Sequence, residues 1–311
     1  MQKIVPHLWF DKEAREAAEF YTSIFPGSGI VKTSVIRDTP SGDCDVVSFE
    51  LWGYHFMSIS AGPLFRFNPS VSFIVNFDPL LFKNSSSPEN EARKKIDEVW
   101  EKLSDGGTVL MPIDKYPFSE RYGWIQDKYG LTWQLMLTDP ADEPRPAIIP
   151  SIMFIGDNVG RAEEAISFYL SVFKDSKIGT IHRYGPGQAP DKEGNVMFAD
   201  FMLEHQWFGA MDSAHEHKFS FNEAVSFMVY CRTQEEIDYY WGKLSAVPAA
   251  EQCGWLKDKF GLSWQIVPER MDEMMSDKDP ERLKRVTEAF IKMKKFNLAE
   301  LERAYSGKQI A

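Results

Sequence analysis

At 311 residues the chain is about twice the length of an average domain, and a composition of 43% hydrophobic and 26% charged residues is globular rather than disordered or collagen-like. Its 35 basic and 46 acidic residues leave a net charge of −11, which repels phosphate backbones and anionic lipid, so neither nucleic acid nor membrane is an expected partner. Cys44, Cys231 and Cys253 are scattered and form no CxxC pair. With no apolar run of about 18–20 residues and no basic-then-apolar leader, a cytoplasmic protein in a reducing compartment is expected.

In chain order, a first strand carries His7 and Trp9, and an amphipathic helix follows with Ala14, Ala17, Ala18, Tyr21, Ile24 and Phe25 on one face. Period-two alternation marks strands at Val47, Phe49, Leu51 and at Val71, Phe73, Val75. A second helix presents Ile96, Val99, Trp100 and Leu103, and a hairpin from Gly123 to Gln134 closes this half. The same order then returns. Phe20-Tyr21-Thr22-Ser23-Ile24-Phe25 recurs as Phe168-Tyr169-Leu170-Ser171-Val172-Phe173, Phe67-Asn68 as Phe221-Asn222, and the hairpin as Gly254 to Gln265. Thr233 and Glu236 form a capping box ahead of the helix carrying Ile237, Tyr240, Trp241 and Leu244.

The repeat predicts two homologous domains, 1–140 and 147–268, joined by a proline-rich segment from Asp139 to Pro146, with a helical tail over 269–311. In the tail, Asp279 and Pro280 start a helix whose stripe is Leu283, Val286, Phe290 and Met293, and Asn297 caps a last helix bearing Leu298, Leu301 and Tyr305. The first half has extra residues around Phe82–Pro88 and before Gly123, where surfaces and site rims tolerate insertion.

Each half thus reads strand, helix, three strands, twice over, and each closes on Gly-Trp-x-x-Asp-Lys-aromatic-Gly-x-x-Trp-Gln. With Trp9-Phe10-Asp11, Phe20-Tyr21, Phe67-Asn68 and Val71-Ser72-Phe73, this pattern resembles the vicinal oxygen chelate superfamily of glyoxalases, dioxygenases and antibiotic-resistance binders. Within it, the chain resembles the PhnB-like group labelled 3-demethylubiquinone-9 3-methyltransferase. The resemblance spans about residues 3–268. It implies an α+β fold of two tandem domains, each with two βαβββ modules forming a curled eight-stranded sheet that cups a small molecule, and an internal pseudo-dimer, with a homodimer as a further possibility.

In the superfamily's metalloenzymes, the first and last strands of each module supply His and Glu ligands. Counting from the turn glycines Gly130 and Gly261, the last-strand positions hold Gln134 and Gln265, while first-strand positions hold His7, Ser72, Ser151 and Ser226. A neutral amide replaces carboxylate poorly at a divalent metal, so no metal and no other cofactor is expected. Gln134 and Gln265 are the stronger ligand-binding candidates. Trp124 is expected to face Trp133 across its hairpin, with Gly123 beside Gln134 leaving space in the cup; Trp255, Trp264 and Gly254 repeat this around Gln265. Packing of the sheet is the competing reading for these tryptophans and amides, as hydrogen-bonded lining is for His7. His215-Glu216-His217 reads as a solvated loop, and Cys253, where the first half has Tyr122, as a packing residue.

No residue is assigned a catalytic role. The expected function is binding of a small organic molecule, or metal-independent catalysis, in aromatic-lined cups formed by Trp9, Trp124, Trp133, Trp255 and Trp264 with His7, Ser72, Ser226 and the two amides. A metal-dependent lyase, isomerase or dioxygenase with one active domain is the alternative, and a protein whose tail mediates assembly is a third class. No glycine loop supports methyl transfer: Gly27-Ser28-Gly29 follows a helix, and Gly185-Pro186-Gly187 has a misplaced proline.

Overall fold

The structure is a computed structural model that describes residues 2–141 and 143–307; Asp142 of the proline-rich junction lies outside them. Four modules follow one another. The first comprises β1 (Ile4–Phe10), α1 (Ala14–Ile24), β2 (Gly29–Thr39), β3 (Gly42–Leu51) and β4 (Tyr54–Ser60). The second comprises β5 (Val71–Phe77), α2 (Pro88–Ser104), β6 (Thr108–Tyr116), β7 (Ser119–Gln126) and β8 (Thr132–Leu137). The third repeats the order with β9 (Ile148–Phe154), α3 (Ala162–Val172), β10 (Lys177–Arg183), β11 (Val196–Leu203) and β12 (Gln206–Asp212). The fourth has only β13 (Val225–Cys231), α4 (Gln234–Leu244), β14 (Trp255–Lys257) and β15 (Ser263–Pro268). No helix among the described residues is long and apolar enough to cross a membrane.

The fold class is the α+β arrangement expected, but the modules share sheets differently. One sheet runs β14-β15-β13-β1-β4-β3-β2 and the other β10-β11-β12-β9-β5-β8-β7-β6. Each sheet therefore joins a module of the first half to a module of the second, through β1 antiparallel to β13 and through β5 antiparallel to β9. The first sheet has seven strands rather than eight, because the fourth module lacks a counterpart of β6. There the shorter segment before Gly254 makes a single turn at Pro248–Ala250, and proline supplies no donor for a ladder.

Helices α1 to α4 and the inner faces of both sheets form one core. Ala14, Ala17, Ala18, Tyr21 and Ile24 are buried on α1, and Ala162, Ala165, Ile166, Tyr169 and Val172 on α3, as their spacing requires. Phe56 of the first sheet meets Phe73 of the second with ring centroids 5.0 Å apart, and Phe208 meets Phe227 at 5.6 Å. The outer faces of the sheets are left for other uses.

Two buried carboxylates lock this core. Asp127, in the turn between β7 and β8, accepts hydrogen bonds from the Tyr21 hydroxyl (2.7 Å), Trp133 Nε1 (2.8 Å), and the backbone N–H groups of Tyr129 and Leu131. Asp258 repeats the set with Tyr169 (2.7 Å), Trp264 Nε1 (2.9 Å), Phe260 and Leu262. Burial pushes both carboxyl pKa values up, against the opposing pull of those four donors. Tyr21 belongs to a module of the first sheet and Asp127 to a module of the second, so each carboxylate ties a helix of one sheet to a hairpin of the other.

The tail packs on the outer face of the first sheet. It contains α5 (Arg270–Met274), α6 (Pro280–Phe290) and α7 (Leu298–Ser306). Asp279 caps α6 by accepting from Glu281 and Arg282, Pro280 follows it, and Asn297 caps α7 by accepting from Glu300. Val286 and Met293 of the expected stripe are buried, and Leu283 and Phe290 are half-buried.

Replacing either lock is expected to destabilise both sheets together. Asp127→Asn keeps an oxygen for the backbone donors but sets an amide NH2 against Trp133 Nε1 and Tyr21, so about 2–4 kcal/mol should be lost. Chemical denaturation checks this, with Asp258→Asn expected to behave alike; two separated transitions would show that the halves unfold independently.

Candidate functional site

Alternation along β1 sends Ile4, Leu8 and Phe10 into the core and places Val5, His7 and Trp9 on the outer face of the first sheet. On the neighbouring strands, Met57, Met228, Tyr230, Gln265 and Trp255 share that face. Between this face and the tail lies a cavity of about 840 Å³, within the range of small-molecule sites, and its lining is mainly apolar.

The polar centre of the cavity is His7 and Gln265. Ser226 stands opposite His7 in the β1–β13 ladder and accepts a hydrogen bond from Gln265 Nε2 at 3.0 Å. Gln265 Oε1 accepts none from the described residues, although the side chain is only 6% exposed. His7 is also 6% exposed, and its Nδ1 is buried without a partner. Trp255, opposite Gln265 in its ladder, meets the imidazole edge-on with centroids 5.5 Å apart. Trp9 anchors its indole N–H on the Gly62 carbonyl at 2.8 Å and lies 6.1 Å from Trp255. Lys32, Glu223 and Asp272 also line the cavity, while His7 and Gln265 offer neutral groups able to hydrogen-bond an uncharged partner.

Electrostatics decide what these groups can do. Burial lowers the His7 pKa from 6.5 to about 3, so the imidazole is neutral and a weak base at neutral pH. Burial raises the Cys253 thiol pKa, which keeps it protonated. Neither suits proton abstraction or nucleophilic attack.

On the second sheet Gln134 is satisfied from within, whereas Ser151 Oγ and Trp124 Nε1 are buried without a partner among the described residues. Gln134 donates to Ser72 Oγ at 2.7 Å and accepts from the Tyr122 hydroxyl at 2.8 Å, and is 3% exposed. Ile74, Ile149 and Trp207 pack together on this outer face, with Met136, Phe198 and Met202 against them. Arg145, from the proline-rich junction, stacks 3.8 Å above Trp207 and pairs with Asp200 at 2.6 Å. Trp124 lies on this face opposite Gln134.

Several sequence expectations are corrected. Trp124 faces Gln134 in the ladder, and Trp133 faces Ile125. Trp133 and Trp264 are 0% exposed and belong to the core on the helix side, one residue out of phase with the amides beside them, so they do not line a cup. The space at Gly123 is filled by Trp100 of α2, whose ring would lie 2.5 Å from an added Cβ. At Gly254 the space is filled by Phe296 of the tail, 2.6 Å from where a Cβ would stand. His215 and His217 lie between β12 and β13, where His215 is 3.7 Å from Asp191 and His217 contacts Ser213 at 2.9 Å. The value of Asp127, Asp258 and Arg145 was missed, although the repetition of both aspartates beside a tyrosine-bearing helix was visible. So was the Tyr122-to-Cys253 difference, which removes the hydroxyl that satisfies Gln134.

The ligand positions of the superfamily's metalloenzymes can now be filled. On the first sheet they hold His7, Ser226, Gln265 and, opposite His7 on β4, Met57; on the second they hold Ser72, Gln134, Ser151 and Gly209. One imidazole with a thioether, a hydroxyl and an amide does not fit a divalent metal, and the second set has no anionic or imidazole donor. Among the described residues no three His, Cys, Asp or Glu side chains cluster as metal ligands.

The family model for 3-demethylubiquinone-9 3-methyltransferase matches residues 2–136 and again 146–267. The chain belongs to this family. A PhnB protein of Bacillus cereus is 36% identical over 44% of this chain and 100% of its own, with a TM-score of 0.37. Glyoxalase I of Zea mays is 12% identical, covers 85% of this chain and 90% of its own, and has a TM-score of 0.51, a likeness of fold alone. No curated relative matches the chain. The tail beyond residue 267 lies outside the family match.

The buried neutral His7 generates a pH prediction. Above pH 6.5 the imidazole is neutral folded or unfolded; as pH falls towards 3 the unfolded chain takes up a proton that the folded site refuses. Folded stability should therefore drop through that window by up to about 1.4 kcal/mol per pH unit from this residue. His7→Gln should flatten the fall in Tm between pH 6.5 and pH 4.5; equal slopes would place His7 in a solvated setting.

Proposed function

We propose that the protein binds a small, uncharged, largely apolar organic molecule in the cup of the first sheet. The observation that carries this reading is the pairing of a large, mainly apolar cavity with His7, whose Nδ1 is buried without a partner, and the neighbouring Gln265, whose carbonyl oxygen accepts no hydrogen bond from the described residues. Leaving a buried atom such as His7 Nδ1 unmet costs about 1–3 kcal/mol, a cost a ligand can recover. On the second sheet the face is filled by Trp207, Arg145 and their neighbours, and it acts as support. Binding rather than catalysis is favoured because burial holds His7 neutral and weakly basic and keeps the Cys253 thiol protonated. The methyl transfer in the family's description is not carried over: Gly27-Ser28-Gly29 lies between α1 and β2, and Gly185-Pro186-Gly187 follows β10 without opening a helix.

Titration of purified protein with 2-naphthol, followed by tryptophan emission, tests the reading. Quenching that saturates at one site per chain is expected, with Gln265→Ala weakening binding by about 1–3 kcal/mol and Gln134→Ala leaving it unchanged. Stoichiometric zinc, nickel, iron or manganese by elemental analysis, lost in His7→Ala, would overturn the metal-free part of this reading.

A further inference from the structure

The tail is moored at both edges of the first sheet, beside the cup. At the β14 edge, the N–H groups of Cys253 and Gly254 donate to the carbonyls of Met293 (2.8 Å) and Lys294 (2.7 Å), and Gln252 Nε2 donates to Ile291 (2.7 Å). These bonds stand where the missing strand of the fourth module would have paired. At the opposite edge of the same sheet, Lys32 of β2 donates to the Asp272 carbonyl (3.2 Å) and hydrogen-bonds the Ser276 hydroxyl. Between these moorings, Met274, Val286 and Leu301 join one apolar cluster with Val5, Met228, Tyr230 and Val267, strand residues that also line the cavity. Met271 and Phe296 belong to that cluster and Met275 and Phe290 pack against it, and all four also line the cavity. The second sheet carries no such cover; Arg145 and its neighbours fill that face directly.

We propose that the tail is the specificity-determining wall of the site, with Met271, Met275 and Phe290 contacting the ligand's apolar body while Gln265 and His7 hold its polar end. This inference rests on the binding reading above and narrows the ligand class. A cavity of about 840 Å³ is larger than a single ring needs, so the preferred ligand is a flat, uncharged molecule of two or more fused rings with one hydrogen-bonding group. Methionine on the wall suits this role, because its unbranched, polarisable side chain adapts to an apolar surface that a branched residue would meet in one shape only. The residues that fix chemistry and the residues that fix size thus come from different parts of the chain: the repeat supplies the first, and the segment beyond the family match supplies the second.

Full-length protein is titrated calorimetrically with 2-naphthol and with phenol. The wild type should prefer 2-naphthol by about tenfold or more, and Met275→Trp should erase that preference by weakening 2-naphthol while leaving phenol within about twofold. Met275→Ala, which adds no bulk and keeps the protein foldable, is the second variant and should weaken both probes less than Gln265→Ala does, yet improve the relative binding of the three-ring phenol 9-phenanthrol. If 2-naphthol binds the wild type and neither Met275 variant alters the order of the probes, the tail only supports the fold and the inference is overturned while the binding reading stands. If neither probe binds the wild type but the protein is folded, the binding reading fails and the inference falls with it.

Discussion

The structure depends on a carboxylate that the core has to keep. Asp127 and Asp258 each sit in a hairpin turn, sealed from solvent, and each is tolerable only because two backbone N–H groups, an indole and a tyrosine hydroxyl converge on it. The tyrosine comes from a helix whose module lies in the other sheet, so the four donors cannot assemble unless both sheets close on the helices between them. This constraint explains why the Phe-Tyr helix motif and the Asp-Lys-aromatic-Gly hairpin recur as a set. It also explains why Trp133 and Trp264, which donate to those carboxylates, are core residues rather than ligand contacts.

With the core fixed, the outer faces of the sheets became free to diverge. The two amides occupy equivalent places and make the same bond to a serine, but only one has its carbonyl oxygen met by a tyrosine. Where the first half has Tyr122, the second has Cys253, and a thiol cannot reach and donate as a phenol does. Arg145 then completes the closed face by covering Trp207 and neutralising Asp200. On the open face the tail does the covering from a distance, which leaves a cavity in place of a plug. One duplicated framework thereby yields one sheet whose outer face is filled and one whose outer face carries a cavity.

The absent strand of the fourth module belongs to the same divergence. Without it, the N–H groups of Cys253 and Gly254 have no ladder partner, and the carbonyls of Met293 and Lys294 take that place. Gly254 permits this through its left-handed backbone, at a φ of +83°, and through the absence of a Cβ that would strike Phe296. A shorter loop, a glycine and a tail form one device, and the cup exists because of it.

The sequence by itself determined the repeat, the helices and their buried faces, the caps at Thr233, Asp279 and Asn297, and the places of His7 and Gln265 on alternating strands. These features are local: a period of 3.6 or 2 and a side chain within a few residues of the backbone it caps are written in the order of the residues. Tertiary structure alone decided which modules share a sheet. Connections before β5, β9 and β13 are of similar length and either pairing would bury the same faces, so only the antiparallel fits of β1 with β13 and β5 with β9, and the reach of Tyr21 and Tyr169 to carboxylates across the core, select the arrangement. Which cup stays open was likewise a matter of long-range contact, because, beyond the local Tyr122–Gln134 bond of one hairpin, it turns on residues far apart in the chain, Arg145 with Trp207 on one sheet and the tail with β2 and the segment before β14 on the other.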